Sequence, residues 1–132
     1  MTLKPAYGES GGGGSGGVNW TTSEQDTGKT FTAGEIVYQK TILHTSNLAA
    51  GTTMTTIAHG ITGMAQMLSA EITAERSNGD FLALPYLSTS AGFNIEVRYD
   101  GTNIYVTPGT GWTATGSEIL NNLIITLTYT KT

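Results

Sequence analysis

Apolar and polar positions alternate most plainly between residues 93 and 107. Phe93, Ile95, Val97 and Tyr99 are interleaved with Asn94, Glu96 and Arg98, and Asp100-Gly101 interrupts the run before residues 102–107. Period-two runs of β-branched and aromatic residues joined by Asp-Gly predict a β-hairpin. Facing Tyr99 with Thr102 sets Val97 against Ile104 and Ile95 against Val106, an apolar face. The other face then carries Arg98 with Asn103 and Glu96 with Tyr105. A slip by one residue would carry the polar set into the core, so the register is well specified. A second alternating run closes the chain, with Leu123, Ile125, Leu127 and Tyr129 set against Ile124, Thr126, Thr128 and Thr130.

Residues 27–43, TGKTFTAGEIVYQKTIL, read as a polar lead-in, a tight Ala33-Gly34 corner and a run of strand formers, Ile36, Val37, Tyr38, Thr41 and Ile42. This is the expected founding strand, against which the later strands build. Its apolar residues do not alternate cleanly: Ile36 and Tyr38 fall on one side, Val37 and Leu43 on the other. Ile124 likewise interrupts the threonine side of the last run. Both faces are therefore expected to be partly covered, and a small two-layer domain achieves that through a partner subunit. Elsewhere, residues 52–58 are threonine-rich and His59-Gly60 is a corner. Residues 77–80 form a turn, and residues 81–87 are an apolar run broken by Pro85, which suits an edge strand or a bulge. Residues 108–116 are expected to be a flexible loop carrying Trp112. Short strands and frequent turns together predict an all-β fold, a small antiparallel β-sandwich of jelly-roll-like type.

Residues 8–17, GESGGGGSGG, have the composition of a flexible linker with a reach of about 16–19 Å. They divide the chain into a tail, residues 1–17, and a sandwich domain, residues 18–132, onto which Trp20 is expected to pack. In one reading Leu3, Lys4, Pro5 and Tyr7 are a docking peptide, with Pro5 limiting unfolded freedom and Tyr7 offering apolar area with a polar tip. In the other the segment is an inserted or unstructured tail.

Three stretches in order carry a family likeness: the opening of residues 27–43, the TTMTTIAHGI of residues 52–61 and the closing Tyr129-Thr130-Lys131-Thr132. Together they make the chain resemble the small C-terminal tip domain of bacteriophage tail fibres and related virion appendages. Phe31 departs from that pattern, which has Trp there. The resemblance implies a β-sandwich that forms a homotrimer as a virion structural or host-contact module, assembled in the host cytoplasm. It also bears on residues 64–76, MAQMLSAEITAER. Met64, Met67, Leu68 and Ile72 fit a helical stripe and the propensities are helical. The likeness implies a strand, and a strand is the expectation here.

Composition narrows the partners. Charged residues are 12% of the 132-residue chain, the net charge is −4 and the six basic residues are scattered, which disfavours nucleic acid. Cysteine is absent, so no disulfide or thiolate site is expected. Neither an apolar signal region nor a run near twenty apolar residues is present, so no membrane span is expected. That pattern favours a virion component over a secreted adhesin.

Candidate chemistry is sparse. Gly28-Lys29-Thr30 is the end of a phosphate-loop pattern whose first glycine would stand at Ser23, and no strand-loop-helix context surrounds it. His44 and His59 would need to converge with a carboxylate such as Glu71 or Glu118 to hold a metal, and a histidine beside a corner glycine more simply satisfies backbone groups. Glu96 and Arg98 read as a solvated ion pair. No catalytic residue, metal or cofactor is expected. Trp112 and Tyr105 could stack on a sugar ring or anchor a host-surface glycan or protein, although the simpler reading has Trp112 capping the core. Two functions follow: an exterior virion appendage (fibre tip, head fibre or capsid decoration) tethered by its N-terminal peptide to other virion proteins, or a soluble carbohydrate-binding module or adhesin.

Overall fold

The computed structural model describes residues 21–45, 48, 51–90, 92–112 and 120–132. The β-branched and aromatic runs form strands: β1 (Gln25–Thr30), β2 (Ile36–His44), β3 (Thr55–Ala58), β4 (Met64–Arg76), β5 (Phe81–Leu84), β6 (Ile95–Tyr99), β7 (Asn103–Pro108) and β8 (Leu120–Lys131). They make two antiparallel sheets, ordered β1-β2-β8-β4-β5 and β3-β7-β6. β2 pairs with β8 and β3 with β7, so the early and late strands are rolled together and the chain is an all-β sandwich of jelly-roll-like type.

The centre of the large sheet is β8, flanked by β2 and β4, and not the expected founding strand. Leu123, Ile125, Leu127 and Tyr129 point from it into the core, where they meet Ile72, Ala74 and Leu84 of their own sheet and Ile57, Ile95, Ile104 and Val106 of the smaller one. Fully burying each aliphatic side chain contributes about 1.5–3 kcal/mol, which makes this interface the main stabilising element.

The polar lead-in to β2 is itself a strand. β1 pairs with β2 through a corner in which Ala33 has φ 62° and Gly34 φ 84°. Its residues are all polar, so no apolar period announced it, and hydrogen bonds hold it instead. Thr27 Oγ1 donates to the Val37 carbonyl at 2.7 Å, and the Asp26 carboxylate accepts the Gly28 N–H at 2.7 Å within a bulge.

Residues 64–76 are a strand, and the register explains their helical appearance. Opposite β8, Met64, Met67, Ala70, Ile72 and Ala74 meet Lys131, Tyr129, Leu127, Ile125 and Leu123 in turn, with irregularities between Met64 and Gln66 and between Met67 and Ser69. Each bulge inserts one residue, so two successive steps along the core face span three positions instead of two. A spacing that mimics a helix thus arises from a bulged strand.

The hairpin of β6 and β7 has the expected faces but a different turn. Asp100 N–H donates to the Asn103 carbonyl at 3.0 Å, so Gly101-Thr102 are the central residues, and Tyr99 faces Ile104, Val97 faces Val106 and Arg98 faces Tyr105. The Asp100 carboxylate moved the turn along by one position, because its Oδ1 accepts the N–H groups of Thr102 and Asn103, both at 2.9 Å. The resulting two-residue offset between strands conserves every face.

Candidate functional site

The turn that Asp100 builds is tied to the β3–β4 corner by His59. The ring is 1% exposed; its Nδ1 accepts the Ile61 N–H at 3.2 Å and its Nε2 donates to the Asp100 carbonyl at 3.3 Å. The His59 N–H also donates to the Thr102 carbonyl at 3.1 Å. Across the core, Lys40 Nζ donates to the carbonyls of His59 at 3.0 Å and Gly60 at 3.1 Å. Both ring nitrogens are engaged, so His59 ties the β3–β4 corner to the turn between β6 and β7, while Lys40 of β2 joins that corner to the larger sheet. Among the described residues no three His, Cys, Asp or Glu side chains lie together in metal-binding range.

Asp100 also fixes Tyr105. Tyr105 Oη donates to Asp100 Oδ2 at 2.7 Å and accepts from Asn103 Nδ2 at 3.3 Å. The Thr102 N–H first, then the Tyr105 hydroxyl and the Asn103 N–H, hold the Asp100 carboxyl well below the usual carboxylate range. On the Tyr105 ring lies the Arg98 guanidinium, 4.2 Å from the centroid. Arg98 therefore stacks on the tyrosine instead of forming the expected pair with Glu96.

Trp112 takes the simpler of its two expected readings, not the surface contact. It is 3% exposed, with Nε1 donating to the Phe93 carbonyl at 3.1 Å and the Phe93 ring set edge-on at 5.6 Å. The Arg76 guanidinium lies 5.6 Å from its ring. It caps the core and offers no platform to a sugar or partner. The described part of the expected 108–116 loop is closely packed, residues 113–116 lying outside the described residues: a Cβ on Gly111 would meet Phe93 Cε2 at 2.6 Å, and one on Gly109 would collide with the Gly92 backbone. Those glycines permit close approach of backbone to ring and backbone to backbone.

The outer face of the five-stranded sheet carries the row Leu43, Ile124, Thr73 and Ala83, neighbours across β2, β8, β4 and β5. Leu43 is 54%, Ile124 43% and, on the next row, Phe81 62% exposed. Beside them Thr41 and Thr126 share a hydroxyl–hydroxyl bond at 3.3 Å. Both faces of β2 are partly covered, as expected: Val37 and Thr41 are buried on one and Tyr38 and Ile42 half-buried on the other, while Leu43 and Ile36 stay exposed.

Glu24 is a residue that no pattern singled out. It accepts the Tyr129 hydroxyl at 2.6 Å and Lys131 Nζ at 2.9 Å, joining the start of the described chain to its closing residues. Leu3, Lys4, Pro5 and Tyr7 of the docking peptide, with Trp20 and Glu118, lie outside the described residues. No family model, no curated protein and no solved structure matches the chain. Fold and surface together define a small two-sheet β-sandwich whose larger sheet has a partly apolar outer face that also carries Glu71 and Glu75.

Proposed function

We propose that this chain is a structural assembly module without enzymatic activity: a homotrimeric exterior appendage of a bacteriophage virion, such as a fibre tip, head fibre or capsid decoration. The observation that carries the reading is the exposed pair Leu43 and Ile124, with Phe81 on the next row, on a sheet face that also carries threonines, Glu71 and Glu75. An extended apolar patch of this kind on a regular sheet suits burial against another subunit. The trimeric number and the virion setting rest on the resemblance of residues 27–43, 52–61 and 129–132 to tail-fibre tip domains. Under this reading residues 1–7 seat the domain on its neighbours in the particle, and the hydroxyl- and amide-rich exterior resists conditions outside a cell.

Light scattering on the purified protein, with and without residues 1–17, tests it. A trimer in both forms supports assembly through the folded domain. A monomer in both forms removes the trimeric appendage.

A further inference from the structure

The outer face of the three-stranded sheet holds an open cleft of about 280 Å³ lined by Glu96, Val97, Arg98, Tyr105 and Thr107. That volume lies just below the range of about 300–1,000 Å³ typical of small-molecule pockets, so it suits one or two small rings. Its floor is rigid before any ligand arrives. The Tyr105 hydroxyl is held by Asp100 and Asn103, and the Arg98 guanidinium lies over the ring at 4.2 Å with Nη2 3.9 Å from Met54 Sδ. Groups already ordered in this way lose little freedom on binding.

Around that floor stand hydrogen-bonding groups still to be used. Glu96 faces Thr107 across the ladder, and among the described residues neither its carboxylate nor the Thr107 hydroxyl takes a partner. Val97 adds backbone groups. Ile95, two residues back, exchanges both its bonds outward with Tyr86, at 2.8 and 3.1 Å, so the N–H and C=O of Val97 also point away from β7, to the open edge of β6. Only Val97 and Tyr99 present such groups between the Tyr86 bridge and the turn, which is too short an edge for an added peptide strand. Of the residues lining the cleft only Glu96 and Arg98 are charged, and the nearby Asp100 carboxylate is already taken by the Thr102 and Asn103 N–H groups and the Tyr105 hydroxyl, so the lining itself carries no net charge.

We infer that this cleft binds a neutral saccharide, with its hydroxyls donating to Glu96 and the Val97 carbonyl and accepting from Arg98, and its apolar ring face against the Tyr105–Arg98 floor. The inference does not depend on the assembly reading, since native mass tests that and ligand titration tests this.

The experiment is a titration of the ¹⁵N-labelled protein with methyl glycosides of galactose, glucose, mannose and N-acetylglucosamine, with sialic acid and a neutral extended peptide alongside. Saturable amide shifts are expected at millimolar glycoside, confined to residues 96–98, 105 and 107. Glu96→Ala and Arg98→Ala, both at exposed positions, are expected to weaken binding about tenfold or more, the size expected for a lost hydrogen bond to a charged group. No saturable shift with any glycoside overturns the inference. So does binding of sialic acid or the peptide alone, or glycoside shifts that Glu96→Ala leaves unchanged.

Discussion

Tyr129, on the central strand, donates its hydroxyl to Glu24 at 2.6 Å, closing a contact between residues 105 positions apart. Lys131 Nζ joins the same carboxylate at 2.9 and 3.1 Å and lies 5.4 Å from the Tyr38 ring, which stacks on Tyr129 at 6.1 Å. The latch clasps the edge strand β1 to β8 across β2.

Tyr129→Phe and Glu24→Gln are each expected to lower stability by about 1 kcal/mol in urea unfolding, with a double-mutant coupling energy of similar size. The Tyr129 hydroxyl and then Lys131 lower the Glu24 carboxyl from its ordinary 4.5. Its contribution is therefore present above that value and is lost as pH falls below it. Burial, and secondarily Glu24, raise the Tyr129 phenol above its ordinary 10.0. That contribution is complete below pH 10.0 and lost as pH rises beyond it, a loss that Tyr129→Phe should abolish.

Asp100 governs a second pH window. Its carboxyl is lowered from an ordinary 3.8, so the turn is stabilised above that value and weakens as pH falls below it. Asp100→Ala should lower Tm at neutral pH and flatten the decline of Tm in acid, followed by circular dichroism. His59→Ala removes the ring bond from the β3–β4 corner to the hairpin turn and the one to Ile61 within the corner, and is expected to cost about 2–4 kcal/mol.

Trp112 separates a core cap from a contact residue. Trp112→Ala should cost about 3–5 kcal/mol in chemical denaturation, because the ring cannot be replaced by solvent without a cavity. A surface residue would lie within about 0.5 kcal/mol of wild type.

Leu43→Glu and Ile124→Glu test the outer face. Each should leave monomer stability within about 0.5 kcal/mol, as expected for an exposed position, while converting a light-scattering trimer to a monomer. A trimer that persists in the double variant places the subunit contact elsewhere.

The alternation of residues 93–99 and 123–131 made two strand regions and their inward faces legible, because period two is a local property of the chain. Residues 64–76 were ambiguous in the same local terms, since bulges give a strand the spacing of a helix. Of the site residues, His59 was legible as a corner histidine that satisfies backbone groups, and Tyr105 as a residue of the outer hairpin face. Glu24 carries no pattern of its own, and the partners that define it come from the other end of the chain. Trp112 in a glycine-rich run looked like a loop aromatic, yet those glycines serve to bring backbone and Phe93 close around it.

Composition and periodicity by themselves determined that this protein is all-β, which faces of its hairpin and last strand are apolar, and that charged residues are few. Only the tertiary structure decided that β8 lies at the centre, that the polar residues 25–30 are a strand, where the Asp100 turn falls, and that Trp112 is buried while Leu43 and Ile124 are not. Strand order, edge pairing and the burial of a single side chain depend on residues far apart in the chain, and no local pattern records them.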